Sequence, residues 1–330
     1  MKTLFPLFLF FFVLTANAQT QEWEQTLRHL MAVEDDTEAG QWEETLELLG
    51  ELARNPIDLN KATREDLEQL VFLSNQQTEQ LQEYLDRYGP MKSLNELRLI
   101  PSLDPERLQL LACFVCLSDG KEQPPFPSLK ELARNGRHEV LGTLRVPFYE
   151  RRGDQNGYLG YPYRHWLRYD FSSGQRLHAG IIGAQDAGEP FFANKNKTGY
   201  DFYSYFLQLR GVGRLEQLIV GKYRLQSGMG LVLNTNFTLG KTAILSTLGR
   251  QSQTVRPHSS RTQDNYFQGA AATISLGKPL KLTLFGSYRQ HDATLNAEDG
   301  SAATLVQGGY HRTPTEMAKK NNTSAINGGG

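Results

Sequence analysis

From about residue 140 to residue 312 the chain is a succession of short segments in which apolar and polar side chains alternate. Glycine, asparagine and charged residues separate them. Val140, Gly142, Leu144, Val146 and Phe148 fall on one face, with Leu141, Thr143 and Arg145 on the other. Tyr163, His165, Leu167, Tyr169 and Phe171 oppose Arg164, Trp166, Arg168 and Asp170. The same period returns at Asp201–Arg210, Leu215–Arg224, Gln268–Leu276, Leu280–Gln290 and Thr304–Arg312. A period of two predicts strands with one apolar and one polar surface. At roughly nine to eleven residues each, the segments are long enough for a tilted strand to cross a bilayer. A soluble sandwich or barrel alternates in the same way, so the pattern by itself leaves both open.

Upstream the period changes to that of helices. Trp23, Leu27 and Leu30 share one face, and Trp42, Leu46, Leu49 and Ala53 another, with Gly40 between them. These define N-terminal amphipathic helices over residues 19–55. Across 56–118 a short helix, a tight turn and a longer helix occur twice. Thr63 with Asp66 caps a helix carrying Leu67 and Leu70, and Gly89-Pro90 closes the helix carrying Leu81 and Leu85. Ser93 with Glu96 caps the next, and Asp104 followed by Pro105 starts the last, which carries Leu108, Leu111 and Phe114. Gln123-Pro124-Pro125-Phe126-Pro127 stiffens a linker over 119–137.

Charge divides the chain in the same place. Residues 19–136 hold 23 acidic and 11 basic side chains, and residues 137–330 hold 13 acidic and 23 basic. The formal net charge of −1 therefore hides an acidic helical half and a basic strand-rich half. Residues 1–18 have the layout of a secretory signal peptide: Lys2, an apolar run over Leu4–Leu14, and Ala16-Asn17-Ala18 before a mature start at Gln19. Export, amphipathic strands and the lack of any run of twenty apolar residues together predict an outer-membrane barrel over 138–312, with membrane lipid as its partner. Aromatic residues such as Tyr200, Phe202, Tyr203 and Tyr205 suit its interfacial girdles. Arg164, Arg168, Arg210, Lys222, Arg224 and Arg289 would face its interior. Residues 313–330 turn polar and end in Gly328-Gly329-Gly330, which reads as a truncated end to an incomplete barrel.

No catalytic set emerges. The seven histidines have no metal-ligand spacing, the serines no nucleophile elbow, and Gly211-Val212-Gly213 has no phosphate-loop helix after it. No cofactor or metal is expected, and the reading is non-enzymatic. Cys113 and Cys116 read as core cysteines or a local disulfide.

The segments Ile57-Asp58-Leu59-Asn60-Lys61-Ala62-Thr63, Glu65-Asp66-Leu67 and Tyr88-Gly89-Pro90-Met91-Lys92-Ser93-Leu94 resemble the helix-hairpin-helix module of the competence DNA-receptor type. That resemblance implies two hairpins whose turns grip DNA phosphates through backbone N–H groups. On this chain the gripping positions would be Ser74, Asn75, Gln76 and Gln77, and Asp104, Pro105, Glu106 and Arg107, with Lys61, Arg64 and Lys92 adding charge. The family's hairpin glycines are replaced by Phe72 and Ser74, and by Ser102 and Asp104. The stretches 221–241 and Gly309–Glu316 resemble large outer-membrane proteins of Bacteroidetes-like bacteria that join such a module to a long barrel. The expectation is thus an α+β chain of two domains: a small all-α helix-hairpin-helix module, then an incomplete antiparallel transmembrane β-barrel. Its expected role is an outer-membrane barrel protein with a periplasmic module used for packing or for docking a periplasmic protein partner. The alternative is a DNA-binding component of DNA uptake, with duplex DNA as partner.

Overall fold

A computed structural model of the protein describes residues 22–30, 45–46, 49–50, 52–53, 56–117, 128–174, 176–235, 254–277 and 280–330. The expected signal peptide, Gly40, Trp42 and the proline run at 123–127 lie outside them.

The helical part is built around one apolar core. Helix α1 (Glu22–Leu30) buries Trp23 and Leu27, four residues apart on one face. Strand β1 (Ile57–Asp58) leads into α2 (Arg64–Leu67), α3 (Asn75–Tyr88), a 3-10 helix (Leu94–Leu99), α4 (Pro105–Phe114) and strand β2 (Val115–Cys116). β1 and β2 pair in parallel, Ile57 opposite Val115, and so tie the two ends of the repeated unit together. Leu67, Leu70, Leu73, Leu81, Leu97, Leu103, Leu110 and Leu111 fill the space between the helices. Phe114 lies at their centre, edge-on to Trp23 at 5.2 Å and against Phe72 at 5.6 Å.

The second part begins with α5 (Leu129–Arg134), β3 (Arg137–Arg145), α6 (Arg152–Gln155), β4 (Arg164–Ser173), β5 (Leu177–Gln185), β6 (Phe202–Val212) and β7 (Leu215–Gln226). It continues with β8 (Thr254–Pro257), β9 (Phe267–Gly277), β10 (Leu280–His291), β11 (Ala293–Leu295), β12 (Ala302–Leu305), α7 (Pro314–Lys319) and β13 (Thr323–Gly329). The main sheet is antiparallel, in the order β13-β10-β9-β7-β6-β5-β4-β3, with β8 added to β7. Where β6 and β7 cross, Gly221 opposes Phe206 with φ +112°, and a Cβ there would run into the Tyr205 carbonyl.

The alternation acts as the sequence predicts at the level of faces. Arg168, Ser204, Gln208, Lys222, Thr283 and Ser287 are buried, while Val140, Leu144, Leu167, Ile181, Leu284 and Ile326 are exposed. The barrel itself is where the expectation fails. Among the described residues β3 and β13 stand at opposite ends of the strand order and do not pair, so the sheet is open. A sheet that spans hydrocarbon has to close on itself to satisfy its edge N–H and C=O groups. The expected transmembrane barrel is therefore corrected to an open antiparallel sheet. With it fall the outer-membrane lipid partner, the outer-membrane location and the periplasmic placement of the helical module with its periplasmic protein partner. No described helix is long and apolar enough to cross a membrane.

Two local expectations are corrected as well. The strand placed at 304–312 is only β12, which pairs with β11 apart from the main sheet. The polar end instead folds: Thr313 and Glu316 form a capping box on α7, and β13 pairs with β10 from Phe285 to His291. Cys113 and Cys116 are not joined in a disulfide, and Cys113 is exposed rather than in the core.

Candidate nucleic-acid interface

Each hairpin turn delivers the N-terminus of a helix. Ser74 caps α3: its hydroxyl accepts from the Gln77 N–H at 3.3 Å, and the Gln77 amide oxygen accepts the Ser74 N–H at 2.9 Å. Asp104 caps α4, accepting the Arg107 N–H at 2.8 Å, with Pro105 supplying the first helical residue. In both helices the third residue then reaches across to the opposite turn. The Gln77 side-chain amide donates to the Ser102 carbonyl at 2.8 Å, and Arg107 Nε donates to the Phe72 carbonyl at 3.1 Å. This reciprocal clasp sets the two helix N-termini side by side. The N–H groups and dipole of a helix start favour an anion, so paired starts make a two-point oxyanion face.

The residues that replaced the family's glycines behave differently from one another. Phe72 points into the core, 3% exposed, so its ring does not obstruct the outer side of the turn. Ser74 and Asp104 are caps, and Ser102 offers its carbonyl to the clasp. The two starts differ in charge: α3 has no acidic residue in its first turn, whereas α4 has Glu106 beside Asp104. Partial burial pushes the Asp104 carboxyl up, but the Arg107 N–H and guanidinium outweigh it and hold it below the usual carboxylate range.

The remaining sequence candidates do not all converge here. Arg64 is engaged by Glu68 at 3.0 Å and Glu79 at 3.7 Å, and Lys61 by Asp58 at 3.6 Å. Lys92 is exposed, its backbone N–H donating to Glu96. Lys61 turns with Asp58 and Asp66 into a cleft where the helical part meets Arg210, Arg256 and His178 of the sheet. Asp66 lies 4.0 Å from Arg210 there. Arg256 and His178 carried no sequence signal, lying outside the segments whose alternation predicts strands.

Residues 53–116 match the family model described as helix-hairpin-helix motif. No curated protein and no solved structure shows significant similarity to the chain. The match covers the hairpin module from the segment before β1 to the end of β2 and leaves the sheet unassigned.

One further polar cluster could be read as a cation site. Glu189, Asp201 and His311 are buried, with candidate ligand atoms within 4.8 Å of one another. The cluster already carries its own cations. His311 bridges Asp201 at 2.6 Å and Asp292 at 2.8 Å, and the Lys320 ammonium sits 2.8 Å from Asp201. Burial pushes the His311 imidazole down, but the two carboxylates outweigh it and raise it to about 9. Such a doubly bonded imidazolium has no lone pair to give a metal, so the cluster is a charge-balanced tie between β6, β10 and α7.

Proposed function

We propose that the hairpin module binds duplex nucleic acid through the paired N-termini of α3 and α4, as a binding rather than a catalytic device. The observation that carries this reading is the reciprocal Gln77–Ser102 and Arg107–Phe72 clasp, which ties each helix start to the other hairpin's turn. The helix-hairpin-helix match supports it, and so does the inward turn of Phe72. The α3 start makes the stronger contact, because Ser74, Asn75 and Gln76 are neutral hydrogen-bonding residues in the positive field of that helix. At the α4 start Arg107 offsets Asp104, so this contact is the weaker one.

Residues 56–112 hold ten acidic and six basic side chains, which keeps phosphate neutralisation small. Affinity should therefore lie near the weak end of nonspecific binding, about 10⁻⁴ M at physiological salt. The test is fluorescence anisotropy of the full chain with a labelled 20-base-pair duplex at low and moderate salt. Gln76→Glu puts a carboxylate at the α3 start, and it should weaken binding about three- to tenfold with the fold retained. Absence of binding at low salt, or equal affinity of wild type and Gln76→Glu, overturns the reading.

A further inference from the structure

β6, β7, β10 and the segments before β9 and α7 wall a cavity of about 480 Å³. Lys222 of β7 is 5% exposed, and its ammonium lies 4.0 Å from the Phe202 ring and 4.2 Å from the Tyr266 ring. Its one hydrogen bond goes to the Tyr266 hydroxyl at 3.1 Å, which leaves two of three donors unbonded among the described residues. The Arg289 guanidinium of β10 also lies over the Tyr266 ring, at 3.8 Å. Arg289 gives two N–H groups to the Gln263 and Tyr266 carbonyls, while its Nε is buried with no partner.

Neither cation makes an ion pair with a carboxylate among the described residues, although three aspartates line the same cavity. Asp201 and Asp292 are held by His311, and Asp201 also by Lys320. Asp264 is the acid that faces Arg289, and burial pushes its carboxyl up. His258, stacked on Tyr266 at 4.9 Å, is kept neutral by burial and by Arg224. Burial and the neighbouring Arg289 likewise push the Lys222 ammonium down to about 7. An unpaired lysine this deep is costly to the empty protein. A cavity of this size suits a small molecule, and buried charge on its wall suits recognition of the opposite charge.

We propose that this cavity binds a compact organic oxyanion, a carboxylate or a phosphate monoester, against the Lys222 ammonium with the Arg289 guanidinium as the second cation of its wall. Two rings pack against the ammonium and limit its contact with water, so an incoming oxyanion would meet an under-solvated charge. The site is independent of the hairpin module, whose nucleic-acid contact lies on the other part of the chain.

The test is calorimetric titration of the full chain at pH 6.5, where most of the lysine carries its charge, with citrate and with glucose 6-phosphate. Glucose is the neutral control. Saturable one-to-one binding of either anion, and none of glucose, is the expected result. Binding of the sugar phosphate alone identifies a phosphate monoester, and binding of citrate alone a carboxylate. Lys222→Met and Arg289→Gln should each weaken the bound anion about ten- to hundredfold. Lys222→Met should at the same time raise the thermal midpoint of the ligand-free protein, because it removes a buried unpaired charge. No binding of either anion at millimolar concentration overturns the proposal, and so does unchanged affinity in both variants. A lowered midpoint in Lys222→Met assigns the lysine to packing and overturns it as well.

Discussion

Asp104 is the sharpest test of how the hairpin module meets a phosphate. Its carboxylate caps α4 and pairs with Arg107, so it occupies with its own charge the helix start that would hold the ligand. Asp104→Asn keeps a capping oxygen of nearly equal quality and removes only the charge. The lost ion pair is partly exposed on both sides and contributes less than about 1 kcal/mol. Losing the favourable charge at the helix start costs a further 0.3–1 kcal/mol or so, and the thermal midpoint should fall by a few degrees. Binding should move the other way. At a separation of roughly 7 Å in water, one unit charge opposing a phosphate is worth about 0.6 kcal/mol, a factor of about three. Arg107, released from Asp104, gains a phosphate contact and steepens the salt slope by about 0.9. The variant should therefore bind a 20-base-pair duplex about tenfold more tightly at 50 mM salt and about threefold more tightly at 200 mM. Anisotropy titrations at both salts, with circular dichroism on the same samples, measure it. Unchanged or weaker binding by a folded variant would refute the placement of the phosphate at these helix starts.

Phe72→Ala, at a position where the related modules carry glycine, removes a ring packed on Phe114. It should destabilise the hairpin module by about 3–5 kcal/mol in chemical denaturation, whereas a near-neutral result would mean that the ring is not part of the core. The share of stability carried by His311 and Glu189 should decline from about pH 5 to pH 9, against the opposite contributions of His258 below 6.5 and Lys222 above 7, whose folded-state values are lowered. His311 is raised from 6.5 to about 9, so its contribution is complete below 6.5 and is lost as pH rises through 9. Glu189, raised from 4.5 to about 7 by burial and then by Asp201, adds a loss of the same sign between those values. Thermal midpoints of wild type and His311→Gln across this range check it: the wild-type advantage should shrink toward pH 9, and an advantage that grows contradicts the sign.

Much of the local structure was legible in the chain. Thr63-x-x-Asp66, Ser93-x-x-Glu96 and Asp104-Pro105 mark helix starts because the N–H groups of a first turn need an acceptor within three residues. The alternation over 201–210, 215–224, 268–276 and 280–290 became β6, β7, β9 and β10 with little change of boundary, although in β7 neighbouring Lys222 and Tyr223 are both buried. It passed over β5, whose Ala179-Gly180-Ile181-Ile182-Gly183-Ala184 is small and apolar on both faces. What the sequence could not settle was set by contacts between distant residues. Period two decides which face a side chain takes but not which edges meet, and the same pattern is written for an open sheet, a sandwich or a barrel. The open order from β3 to β13, and the pairing of Thr323–Gly329 with β10, are decided only when the strands are assembled. The same holds for the two sites. Gln77 finds the Ser102 carbonyl 25 residues away, and Lys222 finds Tyr266 at a separation of 44. His311 finds Asp201 at 110. No local rule of spacing records such meetings, because they follow from how helices and strands pack once the chain has closed its long loops.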